Sequence, residues 1–214
     1  SIREELVMSM ELTLGKELNL LSESPAHCAK LKILNPILTY KEIETIRKLN
    51  KPGFKSVALS TLFPVSAGEG GLEKGLEILC QKASEAIRCG ATILILSDRG
   101  VNAENAAIPS LLATAAVHHH LLRELTRTSA GIVIETGEAR EMMHFALLIG
   151  YGASAIHPYL AYETVSQLVH DKLYVKHMDV PTGLKSYIKS TKKGLFKIIA
   201  KMGISTIQSY RGAQ

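Results

Sequence analysis

The chain has 214 residues, 46% of them apolar and 21% charged, which is the balance of a globular domain able to bury one substantial core. That composition excludes a disordered segment, and the longest apolar runs are broken by charge or histidine well short of the ~20 residues needed to cross a bilayer. The formal charge of +5 comes from basic residues interspersed with acidic ones, except near the C-terminus, where Lys185, Lys189, Lys192, Lys193, Lys197 and Lys201 gather; nucleic-acid binding is therefore not expected.

No basic stretch followed by an apolar one opens the chain, so neither secretion nor membrane insertion is expected. Cys28, Cys80 and Cys89 are widely spaced and form no CxxC pair, which points to a reducing cytoplasm rather than a disulfide framework or a metal cluster.

Leu6, Val7, Met10 and Leu14 recur at helical spacing, so a first helix is predicted over residues 3–14, stopped by Gly15. Ser24 and Pro25 open a short helix through Cys28, Asn35 and Pro36 break it, and KEIETIRKLN forms another. The pattern changes after the Lys51–Pro52–Gly53 turn. FKSVALSTLF is strand-like and precedes a helix over 72–89; ATILILSD precedes a helix over 109–127; AGIVIETG precedes a helix over 138–149; ASAIHP precedes PYLAYETVSQLV. Strands without polar alternation are buried on both faces, as in parallel sheets covered by crossover helices. Residues 172–183, with Pro181 and Gly183, read as a connector before a last amphipathic helix that contains Gly194.

The fold class is thus α/β, built of parallel β-α units with a helical N-terminal segment. The units fit a partial (β/α)-barrel or a small doubly wound sheet, and the sequence does not separate the two. Three regions are expected: a helical segment over 1–53, the parallel core over 54–171, and a connector with C-terminal helix over 172–214.

Ligands of parallel α/β folds sit at the C-terminal ends of strands, which singles out Asp98, Arg99, Glu135 and His157. On one rim they would offer two carboxylates, a guanidinium and an imidazole for proton transfer or anion binding, or else a structural ion-pair network. His118, His119 and His120 point about 100 degrees apart on a helix and cannot converge on one metal ion; His144 on another helix could meet one of them. Gly68, Gly70, Gly71 and Gly75 match neither phosphate-loop pattern, and Glu69 and Glu73 would repel an anion.

Several segments in order, REELVMS, NLLSESPAHC, NPILT, GLEKGLE, LILSDRGV, IPSLLATAAVHHHLLRE, ETGEAREMMHFALLIGYGASAIHPYLAYET and KMGISTIQSYRGAQ, resemble the glutamate synthase large subunit between its glutamine amidotransferase and flavin-binding domains. The resemblance spans nearly the whole chain. It implies an α/β domain, barrel-like but without flavin, that joins the other domains of a longer chain and helps frame an internal ammonia route.

The resemblance also implies a parent enzyme that forms L-glutamate from L-glutamine and 2-oxoglutarate, with FMN and an iron–sulfur cluster as cofactors. Its implied partners are the amidotransferase and FMN-binding domains of the same chain, and ferredoxin or an NADPH-oxidising small subunit. No cofactor, metal or catalytic residue is expected within this chain, because neither a nucleophilic N-terminal cysteine nor a cysteine cluster is present in it. His157 stands where the family's NPYLA-like segment suggests asparagine, and Met142–Met143 where a valine-histidine pair is common; neither His157 nor His144 is therefore expected to be an obligatory catalytic group.

Overall fold

The computed structural model describes residues 6–19, 21–173 and 178–213. Strands β1 (Leu12–Leu14) and β2 (Leu31–Ile33) pair antiparallel, with Leu12 opposite Ile33 and Leu14 opposite Leu31. This corrects the helix expected over 3–14, of which residues 3–5 lie outside the described residues. Met10, Leu12 and Leu14 also alternate with period two, and the alternation wins because it puts all three into the core while Leu6 and Val7 stay exposed.

A 3-10 turn at Pro25–Cys28, opened by Ser24, stands where a short helix was predicted. Helix α1 (Tyr40–Arg47) starts in a capping box: the Thr39 hydroxyl accepts from the Glu42 amide at 3.3 Å, and the Glu42 carboxylate accepts from the Thr39 amide at 2.7 Å. It buries Ile43 and Ile46.

Strand β3 (Asn50–Lys51) turns at Pro52–Gly53 into β4 (Phe54–Ser60), its antiparallel neighbour. There follow β5 (Leu62–Pro64), α2 (Gly71–Arg88), β6 (Ile93–Ser97), β7 (Asn105–Ala107), α3 (Ser110–Arg123), β8 (Gly131–Glu135), α4 (Met142–Gly150), β9 (Ala155–His157) and α5 (Tyr159–His170). The main sheet has the order β3-β4-β6-β8-β9, and its last four strands run parallel. Strands β5 and β7 form a separate antiparallel pair.

The parallel strands follow chain order without reversal. With right-handed crossovers, such an order keeps the connecting helices on one face and curls the sheet, which is barrel-type winding; a doubly wound sheet would reverse. Every residue of β6 and β8 is buried, so both sheet faces are covered. Leu14, Ile37, Leu38, Ile43 and Ile46 of the N-terminal segment join the same core as the strands, and Ile37 bridges to Ile156 of β9.

Two boundaries differ from expectation. Helix α4 begins at Met142 rather than near 138, because residues 136–138 are held in the loop: the Gly137 amide donates to Asp98, the Glu138 amide to Thr136 Oγ1, and Glu138 itself accepts from the Ser110 amide at 2.6 Å, capping α3. Helix α6 (Val180–Lys201) starts inside the expected connector. Asp179 caps it by accepting from the Thr182 amide at 3.0 Å, and Pro181 lies in its first turn, where a missing N–H costs nothing. Residues 174–177 of that connector lie outside the described residues. Helix α6 packs on α4 and α5, with Gly194 against Met142, and α7 (Ile207–Tyr210) closes the described chain.

Candidate functional site

Strands β6, β8 and β9 end in register, Ser97 beside Glu135 and Glu135 beside His157. The parallel ladder therefore brings polar residues that are 38 and 22 positions apart in chain order to one edge. Glu135 is 2% exposed and fully engaged: Arg47 Nη2 donates to one carboxylate oxygen at 2.8 Å, Arg99 Nε donates to the other at 2.8 Å, and Ser97 Oγ donates to the first. Burial alone would raise its pKa, but the hydrogen bonds from Ser97, Arg99 and Arg47 outweigh burial and hold the carboxyl below the usual range.

Asp98 is 4% exposed and accepts from Thr136 Oγ1 at 2.5 Å and from the Gly137 amide at 3.1 Å. Tyr159, at the first position of α5, lies under the Arg99 guanidinium, whose carbon is 4.1 Å from the ring centre. Burial and then Asp98 push the Tyr159 phenol pKa up, so it stays protonated. Both arginines remain charged, held so by Glu135 against the opposing pull of burial.

His157 is wholly buried, and its Nδ1 lies 2.9 Å from the Leu38 carbonyl, which also accepts from the Tyr162 hydroxyl at 3.0 Å. Its ring is packed edge-on against Tyr40 and Tyr162. Burial pushes the imidazole pKa down and keeps it neutral, with the proton on Nδ1 facing the carbonyl; Nε2 is then an acceptor with no partner among the described residues. Of the four residues singled out from the sequence, Asp98, Arg99 and Glu135 thus share one polar network. His157 is their neighbour by register but bonds to the N-terminal segment.

Arg47 and Tyr159 complete the rim and were not singled out. Arg47 lies in the last turn of an N-terminal helix with no local mark of its distant partner. Tyr159 follows His157–Pro158, a strand-end position that the same rule would have reached one residue further on.

The histidine run disperses. His118 Nδ1 accepts from Arg127 Nε at 2.8 Å, His120 Nε2 lies 2.8 Å from Ser84 Oγ, His119 is exposed, and His144 Nδ1 accepts from the Arg140 amide at 3.1 Å. Among the described residues no group of three or more His, Cys, Asp or Glu is placed to hold a metal ion. The glycines at 71 and 75 leave room for Phe63 and Ala67, since a Cβ would stand 2.8 Å from Ala67 and 3.0 Å from Phe63 respectively. No helix among the described residues is long and apolar enough to cross a membrane.

A barrel-wound parallel α/β layer whose strand-end rim is filled by its own ion pairs defines the class: a (β/α)-barrel-like domain. Solved structures agree on the fold. A flavocytochrome b2 variant with benzoylformate superposes with a TM-score of 0.52 over 85% of this chain and 39% of that chain at 14% identity. A mandelate oxidase variant does so at 0.50 over 82% and 43%, at 13% identity. The glutamate synthase central domain family matches residues 1–214, and the chain belongs to that family.

Full-length relatives match over 100% of the chain. The glutamate synthase [NADPH] large chain of Bacillus subtilis is 42% identical, the glutamate synthase [NADH] of Schizosaccharomyces pombe 37%, and the chloroplastic ferredoxin-dependent glutamate synthase 2 of Arabidopsis thaliana 44%. The chain spans only 14%, 10% and 14% of those relatives.

Proposed function

We propose that this chain is the scaffold and interdomain linker of a glutamate-producing oxidoreductase and carries no catalytic group of its own. One observation supports this above the others: Glu135, at the centre of the rim where a barrel enzyme would hold its ligand, is 2% exposed and bridged by both Arg47 and Arg99. Its partner Arg47 comes from the N-terminal segment, so the ion pairs tie that segment to the barrel strands. A scaffold needs such a tie. A proton-transfer site needs a carboxylate free to meet substrate.

The rim does not fit flavin mononucleotide. A flavin phosphate requires positive charge in excess, whereas Arg47 and Arg99 each give a donor to the Glu135 carboxylate and the buried Asp98 side chain stands on the same rim. In this reading FMN and the iron–sulfur cluster belong to other parts of the parent chain, which converts L-glutamine and 2-oxoglutarate to L-glutamate. The amidotransferase and FMN-binding domains are then the chain's immediate partners. Relatives named for NADPH, NADH and ferredoxin match this domain with 42%, 37% and 44% identity, which supports placing the contact with the electron donor elsewhere.

Purified chain should be colourless, folded by circular dichroism, and show no saturable binding of flavin mononucleotide. A yellow protein overturns the scaffold reading, as does 2-oxoglutarate binding abolished by Arg99→Ala; the latter would make the rim an anion site, using the guanidinium that is 42% exposed.

A further inference from the structure

The lysines gathered near the C-terminus all lie on one helix, and the scaffold reading gives them no role. Helix α6 carries six lysines and no aspartate or glutamate. Its buried side, with Leu195, Phe196 and Ile199, packs on α4 and α5. Lys185, Lys189, Lys193, Lys197 and Lys201 are all exposed. Spaced four residues apart, they form a ridge: each stands about 6 Å further along the axis than the one before, so the row runs for about 24 Å. Lys192 lies off the ridge, with its ammonium 5.3 Å from the centre of the Phe196 ring.

The ridge does not stabilise the helix that bears it. Like charges four residues apart repel one another, and the helix dipole favours only Lys201, in the last turn. No ion pair among the described residues includes a lysine of the ridge. A row of ammonium groups calls for a row of anions, and what surrounds it selects which kind. No large apolar side chain of Val180–Lys201 is exposed, so the helix has no apolar face left to enter a bilayer. Of its two aromatic rings, Phe196 is buried and Tyr187 is half-buried with its hydroxyl donating to the Arg140 carbonyl at 2.8 Å, so neither is free to stack on a base. The ridge contains no arginine, the side chain whose fork reads guanine edges and grips phosphate. Carboxylates on a protein surface remain. A contact made of charges without apolar neighbours stays wet and reversible, as between separate proteins rather than within one fold.

We propose that the lysine ridge of α6 is a docking site for a separate acidic protein, one that presents aspartate or glutamate side chains at the same interval, as a helix with acidic residues four apart would. The ammonium groups are compact charges on flexible stems, so each can reach its own carboxylate without a fixed mutual geometry. The helix beneath them is held in place by its packing on α4, with Gly194 against Met142.

The test is fluorescence anisotropy of a labelled helical peptide with glutamate at every fourth position, titrated with this chain at about 20 and about 150 mM sodium chloride. Saturable one-to-one binding is expected at the lower salt, weakened at least tenfold at the higher. Replacing Lys185, Lys189, Lys193 and Lys197 together by glutamine should also weaken it at least tenfold. Glutamine at Lys41, Lys48, Lys74 and Lys82, which removes the same charge from other exposed positions, should change it less than twofold. A chain with Lys185→Glu, Lys189→Glu and Lys193→Glu should lose the acidic peptide and bind its lysine counterpart instead, a gain that a misfolded variant would not produce. Equal losses in the two glutamine variants reduce the binding to net charge and overturn the proposal. So does absence of saturable binding at the lower salt, or tighter binding to a DNA duplex or to phosphatidylserine vesicles than to the peptide, which would assign the ridge to a nucleic acid or a membrane.

Discussion

Arg47, in the last turn of α1, donates from Nη2 to the buried carboxylate of Glu135 at 2.8 Å across 88 residues of chain. This one bond joins the N-terminal segment to the centre of the parallel sheet. Arg99 takes the other carboxylate oxygen, so the two guanidiniums share one negative charge.

Glu135→Gln keeps the shape and removes the charge. Breaking a buried ion pair commonly costs 3 to 5 kcal/mol, but Arg47 and Arg99 are 32% and 42% exposed and solvent screens part of the effect, so a loss of about 2 kcal/mol is expected. The shift of the urea midpoint measures it. Because the folded pKa of Glu135 is depressed, its contribution is complete above the unfolded value near ~4.3 and is lost as pH falls through the folded value. The variant should therefore lose less stability than the parent on acidification below about pH 4.

His118 should give a separate pH dependence. Its folded pKa is held down to about 4, so between ~6.5 and that value the unfolded chain takes up a proton the folded chain refuses. Its stabilisation is complete above ~6.5 and declines as pH falls toward 4. Urea midpoints at pH 7.5 and 5 should differ less in His118→Asn, which retains a side-chain acceptor for Arg127 without titrating.

His157→Asn and His157→Ala separate hydrogen bonding from volume. Asparagine can still donate to the Leu38 carbonyl, so a loss of about 1 kcal/mol is expected, against about 3 kcal/mol for alanine, which leaves both a cavity and an acceptor with one donor fewer. Equal losses would mean that the Leu38 contact contributes nothing.

Gly131→Ala tests how β1 docks. A Cβ at Gly131 would strike Leu14 Cδ1 and approach the Gly15 amide nitrogen to 3.4 Å, forcing β1 away from the start of β8. A loss of about 1 to 3 kcal/mol is expected in thermal or urea unfolding, as for other overpacked cores. A neutral result would show that the N-terminal strand yields freely.

The sequence by itself determined the parallel β-α core, because unbroken runs such as ILILS and GIVIE have no polar face to offer water and must lie between two layers. It also determined which residues stand at the strand ends, since a parallel strand delivers the residue after its apolar run to the rim. It misread residues 3–14, where helical and alternating spacings coexist and only the available partner strand at Leu31–Ile33 decides between them. The tertiary structure alone decided the winding of the sheet and the partners of its charges: Glu135 with Arg47, His157 with Leu38, Arg127 with His118. The physical reason is range. Periodicity records which face of an element is buried, whereas an ion pair depends on how far the sheet curls and where a distant segment crosses it.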